Sequence, residues 1–503
     1  MSTSRKVARS AIIIMLFTLV SKFLGFIREI LTASKFGSGM ETDAYFVALS
    51  ATYILMNLIG VGLNTTMVPI LSEIETKVGK KRKDYYTNNL LNSVAIIAIF
   101  LMVLGWFIAP GIIRIMAHGF KDKQLELAVH LTRIGLPIML FSGTCYVLTG
   151  YLHSSESFMI PAAVGFPFNF VLIFYLLFLS SKYGIEGLMV ATVLAELSML
   201  VIQIPAIKKF AFKYKFNTDF KDKYLKKVLL STLPVVIGTA ISEFNGIIDK
   251  TMASTLEEGS ISALNYAYKI NSLILGVFIT AITTVVFPIL SRESNKDNIE
   301  EVKSILNKGL NIILLITIPA TTGLVVLSKP IVRIFFERGA FSFTDTMMTS
   351  TALIFYAIGL IGSGTSLMLS KVYYSLQDTK TPMINGTIAV TINILLNIIL
   401  IRPLKHGGLA LATSISEIIT ALLLYKELNK KIKNIDYKSN LKCLMKSLLA
   451  AVIMGVIVYG LYSILRDVFI GSKILELEAL AIVTGVGLLV YGMLCYVFKV
   501  KLL

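Results

Sequence analysis

The stretch AIIIMLFTLVSKFLGFIREILTAS, residues 11–34, is an apolar run long enough to cross a bilayer, and it carries Lys22, Arg28 and Glu29 inside it. A membrane-spanning helix needs about 20 predominantly apolar residues. A charge at the centre of such a helix costs at least about 2.5–3.5 kcal/mol, so charged residues there face a helix-bundle interior or a water-filled cavity. The run therefore predicts a membrane helix with a candidate functional site.

The three charges share one side of this predicted helix. At about 3.6 residues per turn, Lys22, Arg28 and Glu29 fall within roughly 120° of one face. The alternative is that Arg28 and Glu29 lie near the helix end and extend to the membrane interface, with Lys22 bonded to a backbone carbonyl. That alternative explains the two end-positioned charges better than it explains Lys22.

The composition indicates an integral membrane protein. Hydrophobic residues make up 55% of the 503 residues and charged residues only 16%, whereas soluble proteins average about 25% charged residues. The net charge of +18 is concentrated in short clusters between apolar runs, which is typical of a topology signal rather than of nucleic-acid binding. The cysteines, Cys145, Cys443 and Cys495, lie in or beside apolar segments, so we expect no disulfide.

Apolar runs of membrane-spanning length recur along the whole chain, and we predict an all-α integral membrane protein with 14 transmembrane helices. The predicted spans are residues 11–34, 44–72, 88–113, 125–152, 158–181, 185–207, 228–254, 261–290, 306–328, 347–376, 382–402, 407–427, 445–465 and 474–498.

The distribution of basic residues predicts cytoplasmic N- and C-termini, because Lys and Arg are enriched in cytoplasmic loops. With the N-terminus inside, the richest basic clusters fall on one side of the membrane. These clusters are the N-terminal tail, residues 77–83, residues 208–227, Lys296 with Lys303, and residues 426–446.

The two halves of the chain repeat at an offset near 220 residues. VPILSE at 68–73 recurs as FPILSR at 287–292, and GIEGLMVATVLAE at 184–196 recurs as HGGLALATSISE at 406–417. Each predicted unit holds an even number of spans, so both units enter the membrane in the same direction. A parallel repeat of this kind is typical of transporters, with the substrate bound at the repeat interface near the bilayer midplane.

The repeat predicts three domains. They are an N-lobe at residues 1–220 with helices 1–6, a C-lobe at residues 221–440 with helices 7–12, and a C-terminal pair, helices 13 and 14, at residues 441–503. We expect the two six-helix lobes to face each other across a central cavity.

No enzyme is predicted. The sequence lacks H-E-x-x-H, Walker A and G-x-S-x-G motifs, and it contains only four histidines. Without an ATP-binding domain, transport would draw its energy from an ion gradient or the membrane potential.

Intramembrane cations from both lobes are candidates for binding an anionic group. Lys22, Arg28 and Lys269 suit phosphate or pyrophosphate, because Arg offers a bidentate fork and Lys a compact charge. The alternative is internal neutralisation, in which Glu29 and Asp249 pair with these cations and hold the lobes together. The two arrangements are compatible at different stages of a transport cycle.

A second cluster is a candidate cation site. Asp249, Asn393, Asn397 and Thr413 offer carboxylate, amide and hydroxyl oxygens, which suit a hard monovalent cation such as sodium. The alternative is that the Asn and Thr side chains form hydrogen bonds between helices. We expect no cofactor other than a sodium ion that couples transport to an ion gradient.

Seven motifs distributed along the chain resemble those of the MurJ/MviN lipid II flippases, which belong to the MOP exporter superfamily. They are SKFLGFIRE at 21–29, TDAYFVA at 42–48, VPILSE at 68–73, GSISALNYA at 259–267, FPILSR at 287–292, ERGAF at 337–341 and QDTKTP at 377–382.

The resemblance implies a two-lobe bundle that alternates between inward- and outward-open states in the bacterial cytoplasmic membrane. It implies that the cargo is lipid II, the undecaprenyl-pyrophosphate-linked peptidoglycan precursor, in cell-wall biogenesis. Membrane lipids and cell-wall synthesis proteins are the other implied partners, and the last two helices would form a groove for the polyprenyl tail. No nucleic acid is expected.

By position, the family's substrate-binding residues match Ser21, Lys22, Arg28, Glu29 and Lys269. Its sodium ligands match the cluster of Asp249, Asn393, Asn397 and Thr413, with Asn397 where an Asp is common.

The second predicted helix departs from the family. The family's Arg-Arg-x-x-x-Glu pattern falls on Leu55, Met56 and Gly60. Either the cavity binds the pyrophosphate with fewer cations, or the protein carries another polyprenyl-linked oligosaccharide, such as a teichoic acid, capsule or exopolysaccharide intermediate. A more distant alternative is a membrane scaffold for cell-wall synthesis proteins.

Overall fold

The computed structural model describes residues 3–469 and 473–500, and in these residues the chain is helical, with no β-strand. This confirms the predicted all-α fold. The contacts divide the chain into two compact units, Met1–Gly259 and Ser260–Leu503.

Long helices paired with shorter ones make up the first unit. They are α1 (Thr3–Phe36), α2 (Met40–Val78), α3 (Lys80–Met116), α4 (Asp122–Gly135), α5 (Ile138–Ser154), α6 (Met159–Ala163), α7 (Gly165–Phe178), α8 (Ser180–Val201), α9 (Gln203–Lys209) and α10 (Lys223–Ala253).

The second unit is built in the same way and includes one π-helical segment, Leu275–Ile279. Its α-helices are α11 (Ser260–Ile274), α12 (Thr280–Asn295), α13 (Ile299–Val326), α14 (Ser328–Phe336), α15 (Phe343–Ser375), α16 (Lys380–Ile432), α17 (Tyr437–Phe469) and α18 (Lys473–Val497).

Within the described residues, ten helical stretches are long and apolar enough to cross a membrane. The predicted spans 11–34, 44–72 and 228–254 lie on α1, α2 and α10, outside those ten stretches. The total of 14 membrane helices therefore stays a prediction. The ten stretches are Lys80–Met116, Asp122–Ser154, Met159–Phe178, Ser180–Lys209, Ser260–Asn295, Ile299–Val326, Phe343–Ser375, Lys380–Ile432, Tyr437–Arg466 and Lys473–Val497.

Many large apolar side chains face outward, as expected of a surface in contact with lipid acyl chains. Phe107, Leu489 and Tyr496 are at least three-quarters exposed. On a soluble protein such surface would mark an interaction site, whereas here it lies on helices of membrane-spanning length.

The contact division differs from the lobe boundary derived from the repeat. Helix α10 packs against α2 and α3 and so belongs to the first compact unit. The repeat shows which segments of the sequence are similar, whereas the contacts show which helices pack together, so the two boundaries need not coincide. The domains 1–220, 221–440 and 441–503 remain a prediction from the repeat.

Backbone breaks recur at the repeat offset. Helix α8 is interrupted at Gly184 (φ 56°, ψ −152°) and α16 at Lys405 (φ 50°, ψ −132°). Glu156 and Gln377 are a second set of matching positions in the repeat, and each has φ 57°. The members of both pairs are 221 residues apart in the chain, so the sequence repeat is accompanied by a repeat of backbone conformation.

Three asparagines of α3 hold the connection before α10. Asn88, Asn89 and Asn92 bond to backbone groups of residues 213–219 at donor–acceptor distances of 2.7–3.2 Å. The pattern resembles strand pairing, because Asn88 and Asn89 each accept one backbone N–H and donate to one carbonyl. These contacts satisfy backbone groups of a connection that has no regular structure of its own.

The turn between α15 and α16 is fixed around Asp378. Its carboxylate accepts hydrogen bonds from the Lys431 ammonium at 2.8 Å and from the backbone and hydroxyl of Thr381 at 3.0 and 2.8 Å. Burial alone would raise the pKa of the Asp378 carboxyl, but these donors outweigh it and lower the pKa to about 2.

Replacing Gly184 by Ala is expected to lower the free energy of unfolding by about 1–3 kcal/mol, because its φ and ψ lie in a region essentially restricted to glycine. A Cβ at Gly184 would meet no atom within 4 Å, so the loss would come from the backbone alone. The matched control is Gly111→Ala, at a helical position that is equally open and where alanine is favoured. Thermal unfolding of the purified variants measures both changes, and equal midpoints would contradict the assignment.

Asp378→Asn is expected to lower the thermal midpoint at neutral pH. A carboxyl whose pKa is lowered on folding stabilises the folded state above its unfolded pKa, and this contribution is lost as the pH falls through the folded pKa. The midpoint difference from the unsubstituted protein should therefore be constant down to about pH 5 and then vanish between about pH 4 and pH 2. Glu126→Gln, at an exposed position, is the control, and a difference that persists at pH 2 would refute the prediction.

Candidate functional site

The centre of the site in the first unit is an ion pair on α1. Arg28 Nη2 lies 2.6 Å from Glu29 Oε1, and the two side chains are 20% and 6% exposed. A charge-assisted bond of this length is strong. Arg28 is therefore neutralised by its neighbour Glu29 on the same helix, whereas a pairing of Glu29 and Asp249 that holds the lobes together stays a prediction.

Helix α7 supplies a second partner that the sequence analysis did not single out. Asn169, which is buried, accepts a bond from Arg28 Nη1 at 3.4 Å. The Asn169 amide donates in turn to the backbone oxygens of Gly165 and Ser21, at 2.8 and 3.3 Å. One amide thus connects the guanidinium to the backbones of α1 and α7.

An aromatic ring completes the surroundings of the guanidinium. Arg28 Cζ lies 5.5 Å from the centroid of the Phe168 ring, within the range of a cation–π interaction. Carboxylate, amide and ring together fix the orientation of the planar Arg28 group.

Ser21 and Lys22 lie on the same helix but in different surroundings. A Cβ added to Gly165 would lie 1.9 Å from Ser21 Oγ, so the absence of a side chain at Gly165 permits the close approach of α7 to α1. Lys22 is exposed and, among the described residues, makes no hydrogen bond or ion pair. Its ammonium is therefore available to an external anion.

Polar contacts between α2 and α8 lie in the same unit. The hydroxyl groups of Tyr45 and Thr192 are 3.0 Å apart, and the Tyr53 hydroxyl donates to Glu196 Oε1 at 2.5 Å. Glu196 thus accepts a hydrogen bond that joins α2 to α8.

The remaining predicted charges are distributed over two helices. Asp249 is partly buried on α10 of the first unit, and the ammonium of its neighbour Lys250 bonds to the Ser50 hydroxyl. Lys269 is partly buried on α11 of the second unit. Because Lys269 and Arg28 lie in different units, the convergence of the three cations on one anion stays a prediction.

Three of the four candidate cation ligands are brought together in the second unit. Asn397 Nδ2 donates to Asn393 Oδ1 at 2.8 Å, and Asn393 Nδ2 donates to Thr413 Oγ1 at 3.3 Å. The bond from Asn393 to Thr413 connects the two parts of α16 across the break at Lys405. The oxygens have the chemistry that sodium prefers, but in this arrangement they also serve the predicted alternative, hydrogen bonding between helices.

The second helix is packed where the family pattern would place charges. Met56 is buried with Leu136 and Met139, and a Cβ on Gly60 would lie 2.2 Å from the Tyr146 ring. The side chain of Leu55 lies outside the described residues. Apolar packing therefore occupies the positions of one missing cation and the missing acid.

Asn169 and Phe168 are the site residues that sequence reasoning missed. The available signal was the sequence GFPFNFVLIF at 165–174, in which one amide interrupts an apolar run. Polar residues inside membrane helices are rare, so an isolated one is a candidate partner for a charge on a neighbouring helix.

Comparison with known proteins assigns the family. The sequence profile of the family described as lipid II flippase MurJ matches residues 32–478. A probable lipid II flippase MurJ of Buchnera aphidicola subsp. Acyrthosiphon pisum is 29% identical over 494 residues, covering 97% of this chain and 96% of the relative. The lipid II flippase MurJ of Thermosipho africanus is 32% identical over 443 residues, covering 88% and 89%.

Solved structures agree with this assignment. The inward closed conformation of a lipid II flippase MurJ superposes with a TM-score of 0.81 at 30% identity, covering 97% of this chain and 98% of that one. An inward-facing multidrug MATE transporter of the MOP superfamily has a TM-score of 0.68 at 14% identity, covering 85% and 99%, which shows a shared fold. The protein is a multi-pass membrane protein of a transporter family rather than a catalytic enzyme. The chain belongs to the MurJ family of lipid II flippases.

Proposed function

We propose that the protein is a lipid II flippase, which moves the undecaprenyl-pyrophosphate-linked peptidoglycan precursor across the bacterial cytoplasmic membrane by alternating access. The observation that carries the proposal is the Arg28 guanidinium of α1 in a MurJ family chain, which is held by Glu29 on the same helix and by Asn169 on α7. A charged side chain inside a membrane helix costs free energy, so its presence there marks a functional site.

In this mechanism the first-helix cations bind the pyrophosphate. Lys22 is exposed and offers a compact charge, while Arg28 offers a planar fork of donors already oriented by Asn169 and Phe168. When the anion arrives it competes with Glu29 for the guanidinium, so that Arg28 is neutralised both with and without cargo. Lys269 would contribute a third cation from the second unit.

The coupling ion is proposed to be sodium, held by Asp249, Asn393, Asn397 and Thr413. The bound ion would supply a positive charge beside Asp249. The chain's own contribution is the hydrogen-bonded set of Asn393, Asn397 and Thr413, which connects the two parts of α16. An ion that reoriented the amide groups of Asn393 and Asn397 would alter the hydrogen bond between Asn393 and Thr413. It would thereby change the contact between the two parts of α16 on either side of Lys405.

The absent second-helix arginines do not favour a different cargo. Because Met56 and Gly60 are packed against neighbouring side chains, the apolar contact replaces the charges without leaving a space for them. We propose that the first-helix cations and Lys269 therefore bind the headgroup alone. Both termini are proposed to be cytoplasmic, and cell-wall synthesis proteins remain predicted partners.

Arg28→Ala is expected to abolish transport while the protein still inserts into the membrane. The test is complementation in a bacterium depleted of its essential lipid II flippase, with survival scored and membrane levels checked by immunoblot. The unsubstituted chain should rescue growth, and Arg28→Ala should fail. Arg402→Ala, which removes an exposed arginine, is the matched control and should rescue.

Asn169→Ala refines the same experiment. It removes the amide that orients Arg28 but leaves the charge, so rescue should be partial rather than absent. Full growth with Arg28→Ala at normal membrane levels would refute the role of the first-helix site. Failure of the unsubstituted, well-inserted chain to rescue would refute lipid II as the cargo.

A further inference from the structure

A cavity of about 340 Å³ with several polar side chains in its wall lies in the second unit, between α11, α15 and α16. Its walls carry serine hydroxyls, two tyrosines and the Asn271 amide. The residues that define it here are Tyr268, Asn271, Tyr356, Ser363, Ser370 and Glu417. We call it the Glu417 pocket.

Glu417 is the only charged residue among those that line the pocket. Its carboxylate accepts a hydrogen bond from the Ser363 hydroxyl, and in the described part of the chain it has no ion-pair partner. Lys371 follows the lining residue Ser370, but its ammonium lies 5.2 Å from the centroid of the Phe287 ring. A carboxylate at membrane depth without a counter-charge is unfavourable, so the pocket is electrostatically suited to a cation.

A second observation points to a ligand. Asn271 is only 4% exposed, and its Oδ1 atom has no hydrogen-bond partner although the residue lines the pocket. Buried polar atoms are normally satisfied by protein, water or an ion. An unsatisfied carbonyl oxygen in the same pocket as an unpaired carboxylate is typical of a site for an oxygen-coordinated cation.

The backbone around the pocket has two unusual features, a close approach of two helices and a π-helical segment. Gly359 and Gly362 of α15 lie against α16 so closely that an added Cβ would come within 2.6 Å of Ser414 Oγ and of the Ile418 nitrogen. This close packing fixes the position of Glu417 relative to α15. The π-helical segment Leu275–Ile279 begins at the pocket wall, and such segments are frequent at functional sites.

We propose that the Glu417 pocket binds a monovalent metal cation, with sodium the ion of choice, through the Glu417 carboxylate, the Asn271 carbonyl oxygen and the serine hydroxyls. The volume accommodates the ion with several of its water molecules. Thr413 lines the pocket and also accepts a hydrogen bond from Asn393, so the pocket adjoins the predicted set. The proposed ligands Glu417 and Asn271 are not members of that set, and neither Asn393 nor Asn397 lines the pocket. The proposed site does not depend on the identity of the transported lipid.

Carbodiimide labelling of the purified full-length protein in detergent tests the proposal. Dicyclohexylcarbodiimide adds to a protonated carboxyl group in an apolar site and leaves a stable N-acylurea, which peptide mass spectrometry locates. Labelling at Glu417 should fall at least about tenfold in saturating sodium chloride relative to equal choline chloride. Asn271→Ala should raise the half-protecting sodium concentration by at least about tenfold, because it removes a proposed oxygen ligand and loss of an outer-shell group alone commonly costs that much affinity.

Two controls make the outcome specific. Glu196, the repeat counterpart of Glu417, already accepts a bond from Tyr53 and should label equally in both salts. Asn397→Ala alters the other predicted cation cluster and should leave sodium protection of Glu417 intact. Equal labelling of Glu417 in sodium and choline, parallel protection of Glu196, or loss of protection in Asn397→Ala would each overturn the proposal.

Discussion

The cost of placing charge in an apolar environment determines the arrangement of this protein. A guanidinium on a membrane-length helix persists only where neighbouring groups compensate it, and Arg28 is compensated by Glu29, Asn169 and Phe168. Removing Arg28 would take away the one group that Glu29, Asn169 and Phe168 all contact. The site is thus a coupled unit rather than a set of independent contacts.

The same constraint applies at the basic side of the first unit. Lys83 is only 1% exposed, yet it bonds to Glu75 at 2.6 Å and to the Ser155 hydroxyl at 2.9 Å. From the sequence, Lys83 belongs to a cluster that sets membrane orientation. In the structure it is a buried link between α2, α3 and the residue after α5, so a lysine of this predicted topology signal also stabilises the packing.

Repetition of the chain fixes where helices break. Gly184 and Lys405 hold the same unusual backbone conformation at matching positions, although only one of them is a glycine. The second break persists at a lysine, which indicates that the surrounding unit determines the conformation there. Because this break separates Asn393 and Asn397 from Thr413, it also decides which side chains meet.

The sequence was sufficient to predict the helical membrane fold, because hydropathy is encoded locally. The internal repeat is read directly from the residues, whereas the role of the charges on α1 stays a prediction. The sequence also placed Asn393, Asn397 and Thr413 in one cluster, since two of them share a helix face. The sequence could not identify Asn169 and Asn271 as site residues, because the role of an amide side chain depends on which groups lie opposite it on a neighbouring helix. The hydrogen bonds that Asn88, Asn89 and Asn92 make to residues 213–219 were missed for the same reason. Their partners are backbone groups about 125 residues away in the chain.

The exchange of the first-helix ion pair for a lipid-linked pyrophosphate is the central step of this account. Transbilayer movement of the cargo by purified protein in liposomes tests it most directly. Lipid II carrying a reducible fluorophore is placed in both leaflets, and an impermeant reductant is added outside. The account predicts that the protein exposes the protected inner pool of lipid II, whereas protein-free liposomes retain it. Retention of lipid II by well-reconstituted protein, with release of an undecaprenyl-linked oligosaccharide of another class, would contradict the account.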